Sequence, residues 1–256
     1  MEAIQVEGSR VCGMPGAGEG VALPPVAGFV GVSLVDYPGG VASVLFLRGC
    51  SFRCPYCYNR ALVLPECYHQ APLLDAGGVL AKLEERRAFV DAVVVTGGEP
   101  TIHPGLPRLL ERVKSLGLLV KLDTNGSNPE MLGMLLREGL VDMVAMDVKA
   151  PPTLYPRLTG GVEWDVVKPS VQMLLDGAVP YEFRTTLVPG LVEKREVLGI
   201  ATVIHGARLY AIQNFRPEGT IDPALEGCYP FRRSEMDGIA AEVSPLVEKV
   251  IVRYGA

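Results

Sequence analysis

The sequence predicts an α/β fold built on parallel strands, and three observations carry that expectation. Short apolar runs recur from about Gly28 onward, amphipathic stretches separate them, and polar side chains collect where the runs end. Strand–helix alternation of this kind implies right-handed crossovers and a parallel sheet.

The runs are VASVLFL (41–47), AVVVTG (92–97), LLVKLDT (118–124), MVAMDVK (143–149), YEFRTTLV (181–188) and RLYAIQNF (208–215). Most are dominated by Val, Ile, Leu and Phe, as strands buried on both faces are. Helical segments fall near 78–89, 105–116, 129–139, 166–177 and 193–206. Pro104 and Pro107 open the second of these, and Gly117 follows it. Asn128, Pro129 and Glu130 open the third in the order of an N-cap followed by a first-turn proline. Six such strands make either an open doubly wound sheet or a partial (β/α) barrel. In both, ligands gather at the strand C-terminal edge. Glu99, Asp123, Asp147, Arg184 and Asn214 all fall at or near that edge, so a single site built from many strands is expected. Arg184 also interrupts an apolar strand and needs an anionic partner.

Residues 1–27 are rich in Gly, Pro and Ala without a sustained period and read as an N-terminal leader to a core domain over 28–256. That leader lacks a basic segment followed by an apolar one, and no run approaches the roughly 18 apolar residues that cross a bilayer. A cytoplasmic protein without membrane contact is expected. Net charge is −5 with both signs interspersed, which argues against nucleic acid as a partner.

Of the six cysteines, Cys50, Cys54 and Cys57 lie within eight residues, directly after the first strong strand. At this cysteine frequency, C-x3-C-x2-C arises by chance in roughly three chains per thousand. The clustering points to metal rather than to disulfides. Closely spaced thiolates can wrap one face of an iron–sulfur cubane, leaving its fourth iron open to another ligand. The competing reading is a structural zinc site completed by Cys67 or His69. Cys12, Cys67 and Cys228 lack this spacing and are read as ordinary thiols, and His69, His103 and His205 as structural or solvated. Gly97 and Gly98, which precede Glu99 and Pro100, would let backbone approach a ligand closely. Gln213 and Asn214 are candidate ribose or adenine contacts.

Cys50, Cys54 and Cys57, with the aromatic Tyr56 before the last, resemble the signature of the radical S-adenosylmethionine superfamily. The resemblance implies a partial (β/α)6 barrel of parallel strands holding a 4Fe–4S cluster, whose unique iron is chelated by the methionine moiety of S-adenosylmethionine. Reductive cleavage would then yield a 5′-deoxyadenosyl radical. It further implies that the Gly97–Gly98–Glu99–Pro100 element binds the methionine amino group.

From about Gly28 to Val252 the chain is similar to the anaerobic ribonucleoside-triphosphate reductase activating protein family, in the branch resembling the pyruvate formate-lyase activases. The segments GFVGVSLVDYPGGVASVLFLRGCSFRCPYCYN, VVVTGGEPTIHPGL and YAIQNFRP carry it. Tyr58 stands where such activases usually carry histidine. The resemblance implies that Asp123, Thr124 and Asp147 bind a monovalent cation and that Lys149 lies near the cofactor carboxylate. Arg184 could meet that carboxylate or a substrate backbone. It also implies a glycyl radical enzyme as protein substrate and an electron donor such as flavodoxin or ferredoxin. A short core with an incomplete barrel would leave an opening through which a protein loop could enter. The alternatives are a radical enzyme acting on a small molecule or peptide, and a non-enzymatic iron–sulfur or zinc module.

Overall fold

The computed structural model describes residues 21–177 and 179–255. Cys12 and most of the segment read as a leader lie outside them. The elements are β1 (Val26–Ser33), β2 (Ala42–Leu47), α1 (Arg60–Val63), α2 (Ala76–Arg86), β3 (Ala92–Gly97), α3 (Leu106–Ser115), β4 (Leu119–Thr124) and α4 (Pro129–Arg137). There follow β5 (Met143–Asp147), α5 (Tyr155–Thr159), α6 (Trp164–Leu175), β6 (Tyr181–Leu187), α7 (Lys194–Val203), β7 (Tyr210–Asn214), α8 (Arg233–Val243) and β8 (Val250–Arg253).

The eight strands form one sheet in sequential order. β1 runs antiparallel to β2, and every later pair is parallel. Among the described residues β1 and β8 do not pair, so the partial barrel stays open between them. The six expected strands are β2 to β7, and the sheet exceeds that expectation by one strand at each edge. β1 begins at Val26, inside the segment read as leader. Its VAGFVGVS sequence is interrupted by glycines; a Cβ at Gly28 would lie 3.2 Å from the Phe46 side chain.

Side chains alternate across each strand, and the two faces of this sheet differ in chemistry. The helix-facing side carries Leu45, Leu47, Val93, Val95, Val120, Leu122, Val144, Phe183 and Ile212, all buried in the main core. The inner side is small and apolar at β2 and β3, where Ala42, Val44, Ala92 and Val94 form a separate cluster. It becomes charged from β4 on: Val94 stands in register with Lys121, and Asp147 with Arg184. The expected cap of α4 is present, with Met131 N–H donating to the Asn128 side chain and Pro129 opening the helix.

Candidate functional site

A cavity of about 720 Å³ occupies the inner face at the strand C-terminal ends. Of the residues expected there, Cys50, Cys54, Tyr56, Cys57, Gly97, Gly98, Asp123, Thr124, Asp147, Lys149, Arg184, Gln213 and Asn214 all line it. Glu99 does not.

The three cysteines belong to the loop that leaves β2. Cys54 is buried at 5% exposure, while Cys50 and Cys57 are half-buried, and all three are free thiols. Burial pushes the Cys50 thiol up to about 11 and the Cys54 thiol up to about 12, against the opposing charge of Lys149. Neutral thiols are favoured until a positive centre is bound there. Asn125, which the sequence reading passed over, directs its amide at Ser51 Oγ (3.2 Å) and Cys50 Sγ (3.8 Å).

Gly97 and Gly98 serve chain packing as well as the cavity. A Cβ at Gly97, whose φ is +124°, would fall 2.3 Å from the Leu47 carbonyl oxygen, and one at Gly98 would fall 1.9 Å from that of Gly49. Any side chain there would push the cysteine loop away.

Glu99 is fully buried behind the cavity wall. Its Oε1 accepts from Thr101 N–H (3.0 Å), Thr101 Oγ1 (2.5 Å) and Thr124 Oγ1 (2.7 Å), and its Oε2 from Asn125 N–H (2.6 Å). The carboxylate thus ties the turn after β3 to the turn after β4. All four of its hydrogen bonds come from protein donors, and Glu99 does not line the cavity. Burial raises its pKa, although the four donors pull the other way. Thr124 Oγ1 is likewise engaged, since it also accepts from Gly126 N–H (3.0 Å). Glu99→Gln should lower stability by about 2–3 kcal/mol, because an amide cannot accept on both sides and one buried donor is orphaned. Urea unfolding of the cluster-free protein would measure it.

Asn214, which lies in the lining, is held by protein partners. Its amide donates to the carbonyls of Phe231 (2.9 Å) and Tyr254 (3.3 Å) and accepts from the N–H groups of Phe215 (3.0 Å) and Phe231 (3.1 Å). It fastens the loop after β7 to the C-terminal strand, with both amide hydrogens used within the protein. Tyr56 Oη, by contrast, is buried in the cavity wall and has no hydrogen-bond partner among the described residues.

The charged floor is one connected unit. Arg184 donates through Nε to Asp147 Oδ1 (2.8 Å) and through an Nη to Asp123 Oδ2 (2.9 Å). Lys149 Nζ lies 3.0 Å from Asp147 Oδ2, and Lys121 Nζ lies 3.1 Å from Asp123 Oδ1. All four carboxylate oxygens therefore face protein cations. Burial alone would raise both aspartates; Arg184, aided by Lys121 and Lys149, outweighs it and holds both below the usual carboxylate range. A depressed carboxylate contributes stability above its unfolded pKa and loses it as pH falls through the folded value. Stability should therefore decline below about pH 4, and Asp147→Asn should flatten that decline in urea titrations at pH 7 and 3.

His103 is structural, its Nε2 lying 2.8 Å from the Arg48 carbonyl oxygen. Among the described residues, no three His, Cys, Asp or Glu side chains converge on a single-ion position. The donor set nonetheless suits a cluster, in which each thiolate binds its own iron. The unpartnered Tyr56 hydroxyl and the charged floor suit a polar, ionic cofactor beside it.

A parallel barrel whose strand ends meet over a thiol-bearing, charged cavity has the anatomy of a cofactor-dependent α/β enzyme. Residues 44–198 match the family described as the Radical SAM superfamily, and the chain belongs to that superfamily. Membership implies a 4Fe–4S cluster and S-adenosylmethionine. Over 242 residues the chain is 29% identical to a Methanocaldococcus jannaschii protein whose name proposes a glycyl-radical enzyme activating enzyme; the match covers 89% of this chain and 95% of that one. Over 120 residues it is 35% identical to the 7-carboxy-7-deazaguanine synthase of Methanopyrus kandleri, covering 40% of this chain and 47% of that enzyme. Streptococcus suis SuiB is similar in structure, with a TM-score of 0.61 at 12% identity over 81% of this chain and 47% of SuiB. That likeness concerns the fold alone, and the chain spans about half of SuiB's length. Among the described residues no helix is long and apolar enough to cross a membrane.

Proposed function

We propose that the chain is a radical S-adenosylmethionine activase whose substrate is a glycine residue of a partner glycyl radical enzyme. The observation that carries this reading is the contrast between the floor and the mouth of the cavity. Cys54 is buried, whereas Tyr58, on the same loop and in the same cavity lining, is 55% exposed. An exposed aromatic at the strand C-terminal ends of a barrel left open between β1 and β8 fits a protein loop better than a small polar metabolite. Similarity across nearly the whole of a relative named for such activation supports it.

In this reading Cys50, Cys54 and Cys57 would hold the 4Fe–4S cluster. With S-adenosylmethionine bound and an electron from a flavodoxin- or ferredoxin-like donor, it would supply the radical chemistry that removes a glycine Cα hydrogen, with methionine and 5′-deoxyadenosine as products. Lys149 and Arg184 present positive charge to a ligand carboxylate. Tyr56 offers a hydroxyl from the wall, and Gln213 an amide at the far strand end. Glu99 and the glycines keep the cysteine loop against β3.

Anaerobic reconstitution and reduction, with and without a candidate partner, tests this reading. The expected results are 5′-deoxyadenosine formation and a glycyl doublet in the partner's electron paramagnetic resonance spectrum. Cleavage coupled tightly to a metabolite, with no doublet in any partner, would favour the small-molecule reading that the synthase similarity suggests.

A further inference from the structure

Lys121 stands in the middle of β4, two residues before Asp123, so strand alternation places both side chains on the inner face. It is 4% exposed. A lysine this buried must be paired, and its ammonium meets two oxygens. One is Asp123 Oδ1, an ion pair at 3.1 Å that lies off a hydrogen-bond axis. The other is the Asp36 backbone carbonyl, which accepts from Nζ at 2.8 Å. A carboxylate oxygen and a main-chain carbonyl oxygen are ligands of the kind that a hard cation takes.

The charge around this point leaves no place for a separate ion. Asp123 and Asp147 are two carboxylates set among three cationic groups, Lys121, Arg184 and Lys149. Glu182, next on the inner face of β6, is engaged by Arg253 at 2.7 Å. An added cation would enter a region already positive and find each aspartate oxygen within 3.1 Å of a protein nitrogen.

We infer that Lys121 is a positioning residue, an ammonium tethered to the chain that takes the place of a dissociable monovalent cation beside Asp123. It does a second thing that a free ion of the same charge would do only while bound. Asp36 belongs to the loop after β1, which the antiparallel pairing of β1 with β2 puts at the strand N-terminal end, so one side chain ties the charged inner face to that loop. Asp36 also accepts from Ser33 Oγ at 2.5 Å, which closes the loop on itself. Loss of the ammonium should therefore loosen that loop and unbalance the charged floor together.

The experiment begins with the cluster-free protein, whose behaviour does not depend on the proposed function. Its thermal midpoint should be the same in potassium, sodium and tetramethylammonium chloride at equal ionic strength. Lys121→Ala, which removes the ammonium and leaves its volume open, should unfold at a lower temperature. Potassium or ammonium should recover part of that loss, and the bulkier tetramethylammonium should not. Lys121→Met, which fills the volume without charge, should be lowered and unresponsive to all three. In reconstituted protein, S-adenosylmethionine affinity should be independent of the cation for the wild type. It should fall about tenfold in Lys121→Ala without potassium and be largely restored with it. A wild-type midpoint or affinity that rises with potassium over tetramethylammonium overturns the inference, because an ion would then bind beside Lys121. So does a Lys121→Ala protein that folds but responds to no cation. Failure of the activase reading would leave the cluster-free result untouched.

Discussion

Cys54→Ala should abolish 5′-deoxyadenosine formation and lower bound iron and sulfide after reconstitution. Of the three loop cysteines Cys54 is the buried one, enclosed with Tyr56 in the cavity wall. Burial pushes its thiol up to about 12, so in the empty protein it is a neutral, weakly reactive group. Only a positive centre can make thiolate the favoured form there, and a cluster supplies one. With alanine in its place, one iron faces apolar wall and no other described cysteine can substitute. Cys67 is buried and does not line the cavity, nor does the half-buried Cys228. The expected loss of activity is at least a hundredfold. It should come with loss of the broad visible absorption of the cluster while the far-ultraviolet circular dichroism is retained. Persistent cofactor cleavage in this variant would sink the assignment of the ligands.

What the sequence made legible follows the strength of each local signal. Six buried parallel strands are near-continuous apolar runs, and they appear as β2 to β7. The edge strands are hidden for physical reasons: β1 is broken by Gly28 and Gly31, and β8 is only the four residues VIVR, none fully buried. The cysteine spacing could be read because ligands to one cluster must come from one tight loop. The roles of Glu99 and Asn214 could not, because position at a strand end says nothing about whether a side chain faces the cavity or the neighbouring turn. Lys121 was within reach. The argument that a charge inside an apolar strand demands a buried partner singled out Arg184, and it applies equally to the lysine of LLVKLDT. Asn125 had no such signal, since an asparagine before glycine reads first as a turn.

Arg184 carries the other large effect, because it is the single link between the two aspartates. Its guanidinium bridges Asp147 at 2.8 Å and Asp123 at 2.9 Å with the side chain only 12% exposed. Planar, permanently charged and forked, it satisfies two carboxylates on adjacent strands at once, which lysine could not do in the same place. Replacing it with methionine keeps most of the volume and removes the charge. Asp123 then retains only Lys121, and Asp147 only Lys149, each with one oxygen newly unpaired in a buried setting. Removing one partner of a buried ion pair typically costs about 3–5 kcal/mol, so urea unfolding of cluster-free Arg184→Met should show a loss of that order. Much of that cost is the stranded carboxylate rather than the bond itself. Adding Asp147→Asn should therefore recover part of the stability, since the asparagine does not need a counter-charge. It should not recover S-adenosylmethionine affinity, because the positive charge offered to a ligand carboxylate is still missing. A double variant no more stable than Arg184→Met would show that the aspartates do not depend on the guanidinium. The floor would then be several independent pairs rather than one unit.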